Sequence, residues 1–450
     1  MKKYEAYKNP DIEWMEEIPV HWDVKSLKST TDGNSSSFID GDWIESPVIT
    51  DDGIRYLTTG NVGVINYKEQ GNGYISEQTF NDLKCSEVFP GDILISRLNL
   101  PLSRCCIVPE LGKRIVTAVD NVIYRPDSQY HDKLYMVYLL NSARYAEFAG
   151  TLGRGTTMKR ISRSALAAVK VCIPPLSEQQ AIASYLDHRV GQIDASIFAI
   201  NVQIDDLKAY RMSVISEAVT KGLNPDAPMK DSGLGWIGAI PEGWKILKMN
   251  FILSGLQDGT HGTFDRVDNG YPLLSAKNVF PSGIVFEEKE SYISESDFKA
   301  IVSNGFPQKG DVALCCVGTV GRCCVYTYDY PIAFQRSVTF LRPNNKVQSY
   351  YLWYYLQSNK FQDQLGKYAK TSAQSGVYLG DLAKTIVILP PLSEQQAIAT
   401  YLDYKTSKID AAIASLESQR YDLNALKQSV ISEAVTGKID VRGWKLNNEQ

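Results

Sequence analysis

Pro174-Pro175-Leu176-Ser177-Glu178-Gln179-Gln180-Ala181-Ile182-Ala183 recurs without a change from Pro390 to Ala399, and this repeat decides the architecture. Ser213-Val214-Ile215-Ser216-Glu217-Ala218-Val219-Thr220 returns from Ser429 to Thr436 at the same offset of 216, and 29 of the 48 positions from 174 to 221 match without a gap. A fainter echo opens each copy: Trp14, Ile18, Pro19 and Trp22 correspond to Trp236, Ile240, Pro241 and Trp244 at offset 222. Between these frames the matches are isolated. They are Gly91-Asp92 with Gly310-Asp311, Arg104-Cys105-Cys106 with Arg322-Cys323-Cys324, and Arg125-Pro126 with Arg342-Pro343. A duplication left to drift would blur evenly along its length. Two near-identical frames around two dissimilar inserts indicate one mechanical task done twice and two different recognition tasks.

The frames read as helices. Ser177 followed by Gln180 has the pattern of a capping box, and Pro174-Pro175 stops any helix from starting earlier. Leu186, Val190, Ile193, Ile197, Ile200, Ile204 and Leu207 then alternate steps of four and three, the spacing of a coiled-coil seam. The second copy reads Leu402, Thr406, Ile409, Ile413, Leu416, Arg420 and Leu423, weaker but in register. Two such helices in one chain, each needing a partner for its stripe, are predicted to pack on each other in antiparallel fashion. The inserts read differently. Apolar runs such as Ile93-Leu94-Ile95 and Val338-Thr339-Phe340-Leu341 are broken by Gly, Asn, Pro and Asp turns, and Tyr135 to Ala149 and Tyr350 to Leu365 look helical. Each insert is a mixed α/β domain.

Composition bounds the function. With 450 residues, 44% hydrophobic and 22% charged, the chain is an ordinary globular protein of two or three domains. No run approaches 18 apolar residues and the N-terminus lacks the apolar core of a signal peptide, so a cytoplasmic protein without a membrane role is expected. Six of the eight cysteines form adjacent pairs, Cys105-Cys106, Cys315-Cys316 and Cys323-Cys324. Neighbours in a strand face opposite ways, so these read as buried small hydrophobes rather than metal ligands. A net charge of −4 argues against a protein that coats nucleic acid. It leaves room for a sequence reader, because Phe148 to Leu176 has no acid yet carries Arg154, Lys159, Arg160, Arg163 and Lys170. No P-loop and no Asn-Pro-Pro-aromatic segment is present, and the four histidines lie in plain contexts. No catalytic role and no cofactor is expected for this chain.

Two Pro-Pro-Leu-Ser-Glu-Gln-Gln helices, each closing a divergent α/β unit that opens on a Trp…Ile-Pro…Trp segment, resemble the specificity subunits of Type I restriction–modification systems. The resemblance covers essentially the whole chain. It implies target-recognition domains at 1–173 and 236–389, conserved spacer helices at 174–222 and 390–437, a linker at 223–235 and a tail at 438–450. The implied fold is mixed α/β, with two recognition domains separated by an antiparallel coiled coil in a pseudo-twofold duplication. The resemblance further implies that each domain reads one half of an interrupted double-stranded DNA site while the helices set the gap. By the same resemblance, two methyltransferase subunits holding S-adenosylmethionine are expected to dock on the chain, with motor–nuclease subunits completing the complex. Two rival readings stay open: a coiled-coil scaffold without DNA readout, and a self-contained nuclease or methyltransferase.

Candidate DNA-binding residues follow from the same resemblance. Arg154, Thr156, Thr157, Lys159 and Arg160 lie in a loop rich in small and hydroxyl residues just before the first helix. At offset 216 the second copy holds Lys370, Thr371, Ser372 and Gln374, with Lys367 shortly before. Small residues let the backbone approach a duplex, and Lys, Arg or Gln then bond phosphates or base edges. The plain alternative is a solvated turn at a domain exit. Arg97, Arg104 and Arg322 are second-tier candidates, because an arginine kept in both copies can equally hold the shared fold together.

Overall fold

The computed structural model describes residues 2–369 and 376–445. The chain forms two compact units, residues 1–200 with 418–450 and residues 201–417. Each contains opposite halves of two long helices, Leu176–Lys221 and Leu392–Val435.

In the first unit a four-stranded sheet runs in the order Phe38–Asp40, Asn121–Tyr124, Ile93–Ser96, Cys105–Ile107, all antiparallel. Ile93, Leu94 and Ile95 are all fully buried, as a strand covered on both faces requires. One face, with Ile93, Ile95, Cys105, Val122 and Tyr124, packs on the helix Lys133–Leu140 and the long-helix ends. The other, with Leu94, Cys106 and Ile123, packs on Leu57 and Ile115 of a smaller sheet in which Ile54–Leu57 and Ile115–Thr117 pair in parallel. The second unit repeats the plan: Leu253–Asp258, Val338–Pro343, Val312–Cys315, Cys323–Val325, with a parallel pair of Tyr271–Leu274 and Ala333–Phe334. The vicinal cysteines are explained by this layering. Cys105 and Cys323 face the helical side while Cys106 and Cys324 face the small sheet. All eight thiols are buried and free, and burial pushes those of Cys106 and Cys324 up to about 12.

The seam read from the sequence is the one that is covered. Leu186, Val190, Ile193, Ile200 and Ile204 are buried, as are Leu402, Thr406 and Ile409. In the first unit the N-terminal half of the first long helix shares a core with Val430, Ile431, Ala434 and Val435 at the far end of the second. In the second unit Ile215, Ala218 and Val219 share a core with Ile398, Ala399 and Leu402. Opposite ends therefore pair, and the pairing is antiparallel. An ion pair marks it in each unit: Lys427 to Asp194 at 2.7 Å and Arg211 to Asp410 at 2.9 Å, equivalent positions at offset 216.

Three readings need correction. No capping box opens the long helices. Each begins at the leucine before the serine, and the carbonyl of Pro175 or Pro391 accepts from the backbone N–H of Glu178 and Gln179, or of Glu394 and Gln395. The stretches read as single helices are broken pairs, Lys133–Leu140 with Ala143–Thr151 and Ser349–Gln357 with Asn359–Tyr368. Asn141 makes the first break by turning its amide onto Cys105 O at 2.9 Å, and Ser358 makes the second as an N-cap accepting from Phe361 N. Within the segment read as a linker, Met229–Asp231 pairs with Ala239–Pro241, just as Tyr7–Lys8 pairs with Ile18–Pro19.

Candidate nucleic-acid interface

The repeated Leu-Ser-Glu-Gln-Gln motif builds the joint between each recognition domain and its helix. Gln179 is fully buried, accepts from Asp132 N at 2.9 Å, and donates to Tyr130 O at 2.9 Å and Pro174 O at 2.8 Å. Gln395 does the same with Gln348 N, Lys346 O and Pro390 O, all at 2.9 Å. The glutamates accept the opening tryptophans: Trp22 Nε1 reaches Glu178 and Trp244 Nε1 reaches Glu394, both at 2.9 Å. Glu178 also takes His21 at 2.8 Å and the Tyr4 hydroxyl, whose pKa is raised by burial first and then by that carboxylate. Because a buried polar group must be partnered, these side chains admit little substitution, which accounts for the verbatim repeat. Arg125 on Asp92 and Arg342 on Asp311 are a second shared brace, at 2.7 and 2.8 Å.

These braces leave one end of each central sheet to carry variation. In the first unit it gathers four segments. The loop 97–103 is sewn to the exit loop by Asn99 N to Lys159 O at 2.9 Å and Ile161 N to Arg97 O at 3.0 Å. The exit loop closes on itself through paired Arg154 and Arg160 backbone bonds of 3.0 and 2.9 Å. Gly155 sits at φ +108°, where a Cβ would lie 2.5 Å from Met158 O, so only glycine fits this turn. Gly41 N to Asn121 O at 2.8 Å and Arg97 N to Asp120 O at 2.8 Å bring in the segments 40–43 and 118–120.

The predicted residues divide by role. Arg154, Thr156, Thr157 and Lys159 are exposed on the exit loop. Arg160 is also exposed but pairs with Asp120 at 2.7 Å. Arg97 is buried on Asp40 at 3.0 Å and donates to Ile161 O and Val119 O, with burial lowering its pKa. Arg104 spreads its donors over Thr59, Val62, Leu98, Asn99 and Pro101 carbonyls. It shapes the 97–103 loop from within. Arg322 lies 4.4 Å over the Phe280 ring and bonds Ala276 O, again an interior task. Lys367 is exposed, 5.9 Å from the Trp236 ring. Lys370, Thr371, Ser372 and Gln374 lie outside the described residues, but Val317 bridges Gly376 just beyond them, the counterpart of the Leu98–Arg160 bridge.

A cleft of about 1010 Å³ opens beside the first sheet end, lined by Ser26, Lys28, Ser29, Asp40, Arg163 and Ser164. Its hydroxyls and two cations share the lining with Asp40 and with apolar Phe38, Ile39 and Ala167. Sequence reasoning missed Asp40-Gly41 and Asp258-Gly259, which end the edge strands at this same place. Their signal was present as a shared Asp-Gly dipeptide, hidden because it falls at offset 218 outside the gapless repeats. Among the described residues, no helix is long and apolar enough to cross a membrane.

Two divergent sheet ends, each braced by the same buried joint onto a shared helix pair, define a duplicated two-module protein with a constant frame and variable tips. The Type I restriction modification DNA specificity domain matches residues 48–204 and 265–418, and the chain belongs to that family. It is 27% identical over 343 residues to the Type I restriction enzyme MjaVIII specificity subunit of Methanocaldococcus jannaschii, covering 74% of this chain and 76% of that one. It is 21% identical over 440 residues to the EcoKI specificity subunit of Escherichia coli K12, covering 90% and 91%. A solved structure described as "Structural basis underlying complex assembly and conformational transition of the type I R-M system" shares the fold at a TM-score of 0.66. That chain is 16% identical, with 94% of this chain and 99% of that one covered.

Proposed function

We propose that this chain is the non-catalytic, sequence-reading subunit of a cytoplasmic Type I restriction–modification complex. Each module binds one half of an interrupted double-stranded DNA site at the free end of its sheet. Arg154, Thr156, Thr157, Lys159 and Arg160 act in the first module, and Lys367, Lys370, Thr371, Ser372 and Gln374 in the second. Arg97, Arg104 and Arg322 support the binding loops from beneath. The long helices set the gap between the half-sites. Two methyltransferase subunits, which carry S-adenosylmethionine, dock on the chain, and motor–nuclease subunits join them.

The observation that carries this reading is the contrast between joint and tip. The joint is rebuilt bond for bond at Gln179 and Gln395, while the loop sequences differ, Lys159 and Arg160 corresponding at offset 216 to Ser375 and Gly376. A common scaffold with two unlike basic or amide-bearing tips suits two unlike half-sites. The test is methylation mapping of DNA exposed to the chain assembled with its methyltransferase subunits. One interrupted, two-part methylated sequence is expected; methyl transfer by the isolated chain, or binding without any sequence preference, would overturn the reading.

A further inference from the structure

Both modules carry one more shared device at the same end of the sheet. Asp40-Gly41-Asp42-Trp43 and Asp258-Gly259-Thr260-His261 leave their edge strands along the same path. Asp42 N bonds Thr117 O at 2.8 Å and Thr260 N bonds Phe334 O at 2.7 Å, and each turn forms a parallel bridge, to Ala118 or to Gln335. Glycine is obligatory in both: a Cβ at Gly41 would lie 2.3 Å from Thr117 O, and one at Gly259 would lie 2.3 Å from Gln335 O. Each aspartate is anchored, Asp40 by Arg97 at 3.0 Å and Arg163 at 3.6 Å, Asp258 by the Thr339 hydroxyl.

What the turn delivers differs. Trp43 is 68% exposed in the first module, and His261, with its side chain 65% exposed, stands at the equivalent place in the second. A single exposed apolar residue needs no explanation. Here the same tight turn is built twice, and the outward side chain changes from a flat apolar ring to an imidazole that donates and accepts hydrogen bonds. Arg154, Lys159 and Arg163 belong to the first sheet end, where Arg163 also lies 3.6 Å from Asp40, and exposed Arg336 donates its backbone N–H to Thr260 O at 2.9 Å in the second. Acids lie nearby as well: Asp258 is 3.4 Å from His261 Nε2, Asp42 accepts from Ser86 N at 2.8 Å, and Glu45 takes the Trp43 indole N–H at 3.2 Å. With that N–H occupied, the ring itself is the contacting surface, and a ring reads bases rather than phosphates.

We propose that Trp43 and His261 are specificity-determining contacts to DNA bases, one for each half-site. The proposal rests on the reading of the chain as a two-part DNA reader. The test uses the full chain assembled with its methyltransferase subunits, acting on genomic DNA from a host without the system, with methylated positions sequenced. Trp43→Ala is expected to lower discrimination about ten-fold at one or two base pairs of one half-site and to leave the other unchanged. His261→Ala is expected to do the reverse, and Trp43→Phe to keep most of the discrimination. Because both side chains are exposed, the variants should melt with the wild type. If both variants methylate the unaltered site, or lose affinity equally for all sequences, while the wild type reads a two-part site, the proposal falls and the underlying reading stands. A wild type that reads no two-part site would overturn both.

Discussion

Replacing Gln179 by alanine removes three hydrogen bonds at once, the buried one to Pro174 O and the partly buried ones to Asp132 N and Tyr130 O. The Asp132 N–H is left without its acceptor at the N-cap position of the helix Lys133–Leu140. An unsatisfied buried group costs about 1–3 kcal/mol, and the truncation adds a small void, so the loss is about 3–5 kcal/mol. For a unit of this size one kcal/mol moves the melting temperature by about 2–4 °C, which gives a fall of about 6–20 °C. Gln395→Ala removes the same three bonds in the second unit and should cost the same within about 1 kcal/mol. Gln179→Glu is no rescue: it keeps the acceptor for Asp132 but turns a carboxylate onto two carbonyl oxygens. The assay is thermal unfolding with native-state hydrogen exchange, so that each unit reports on its own joint. A fall below about 2 °C for either variant, or one variant silent while the other unfolds its unit, would refute the claim that the repeated motif is a twice-built joint.

Other outcomes follow from the same bonding. Burial first, and then Lys25, lower His131 from 6.5 to about 4, so it is neutral in the folded first unit. Its contribution is present above pH 6.5 and is lost as pH falls from there toward 4; His131→Asn should flatten stability over that window, and an unchanged pH profile would contradict the assignment. Lys159→Ala with Arg160→Ala should weaken binding by the assembled methyltransferase by about 1–3 kcal/mol if base edges are touched, or lower the salt dependence for all sequences if phosphates are. Unchanged affinity at physiological salt would make this loop a solvated turn. All eight thiols are buried, so a thiol reagent near pH 8 should label none in the native chain and eight after denaturation. Rapid native labelling would contradict the layering of the central sheets.

The sequence exposed the fold wherever one physical constraint acted alone. A four-and-three apolar spacing has one meaning on a long helix, and Leu186 through Ile204 are covered as that spacing requires. The paired cysteines were legible because strand geometry sends neighbours to opposite faces. Helix starts were less so: Ser177 matched a side-chain capping pattern, yet the carbonyl of Pro175 performs that task first. The first broken helix turns on Asn141, whose amide is recruited by a strand distant in sequence. At the candidate site, charge and smallness marked the exit loop, while Arg97 and Arg104 looked alike from sequence and proved to be bonded inward. Trp43 and His261 were invisible because their equivalence depends on a strand end and two glycine contacts rather than on a repeated string.

In the proposed function two modules read two half-sites, and the helix pair sets the gap between them. Both long helices are tied into both units, through Asp194–Lys427 in one and Arg211–Asp410 in the other. Lengthening one helix alone would break an ion pair, so the perturbation is a matched pair of heptads, one after Ile200 and one after Glu417. Seven residues add about 10 Å and keep the apolar seam in register. At about 3.4 Å per base pair that is up to about three base pairs, with the turning of the duplex limiting the rest. Methylation mapping of the assembled complex should then return the same two half-sites separated by a longer gap. The same gap with altered half-sites would mean that these helices do not space the readers.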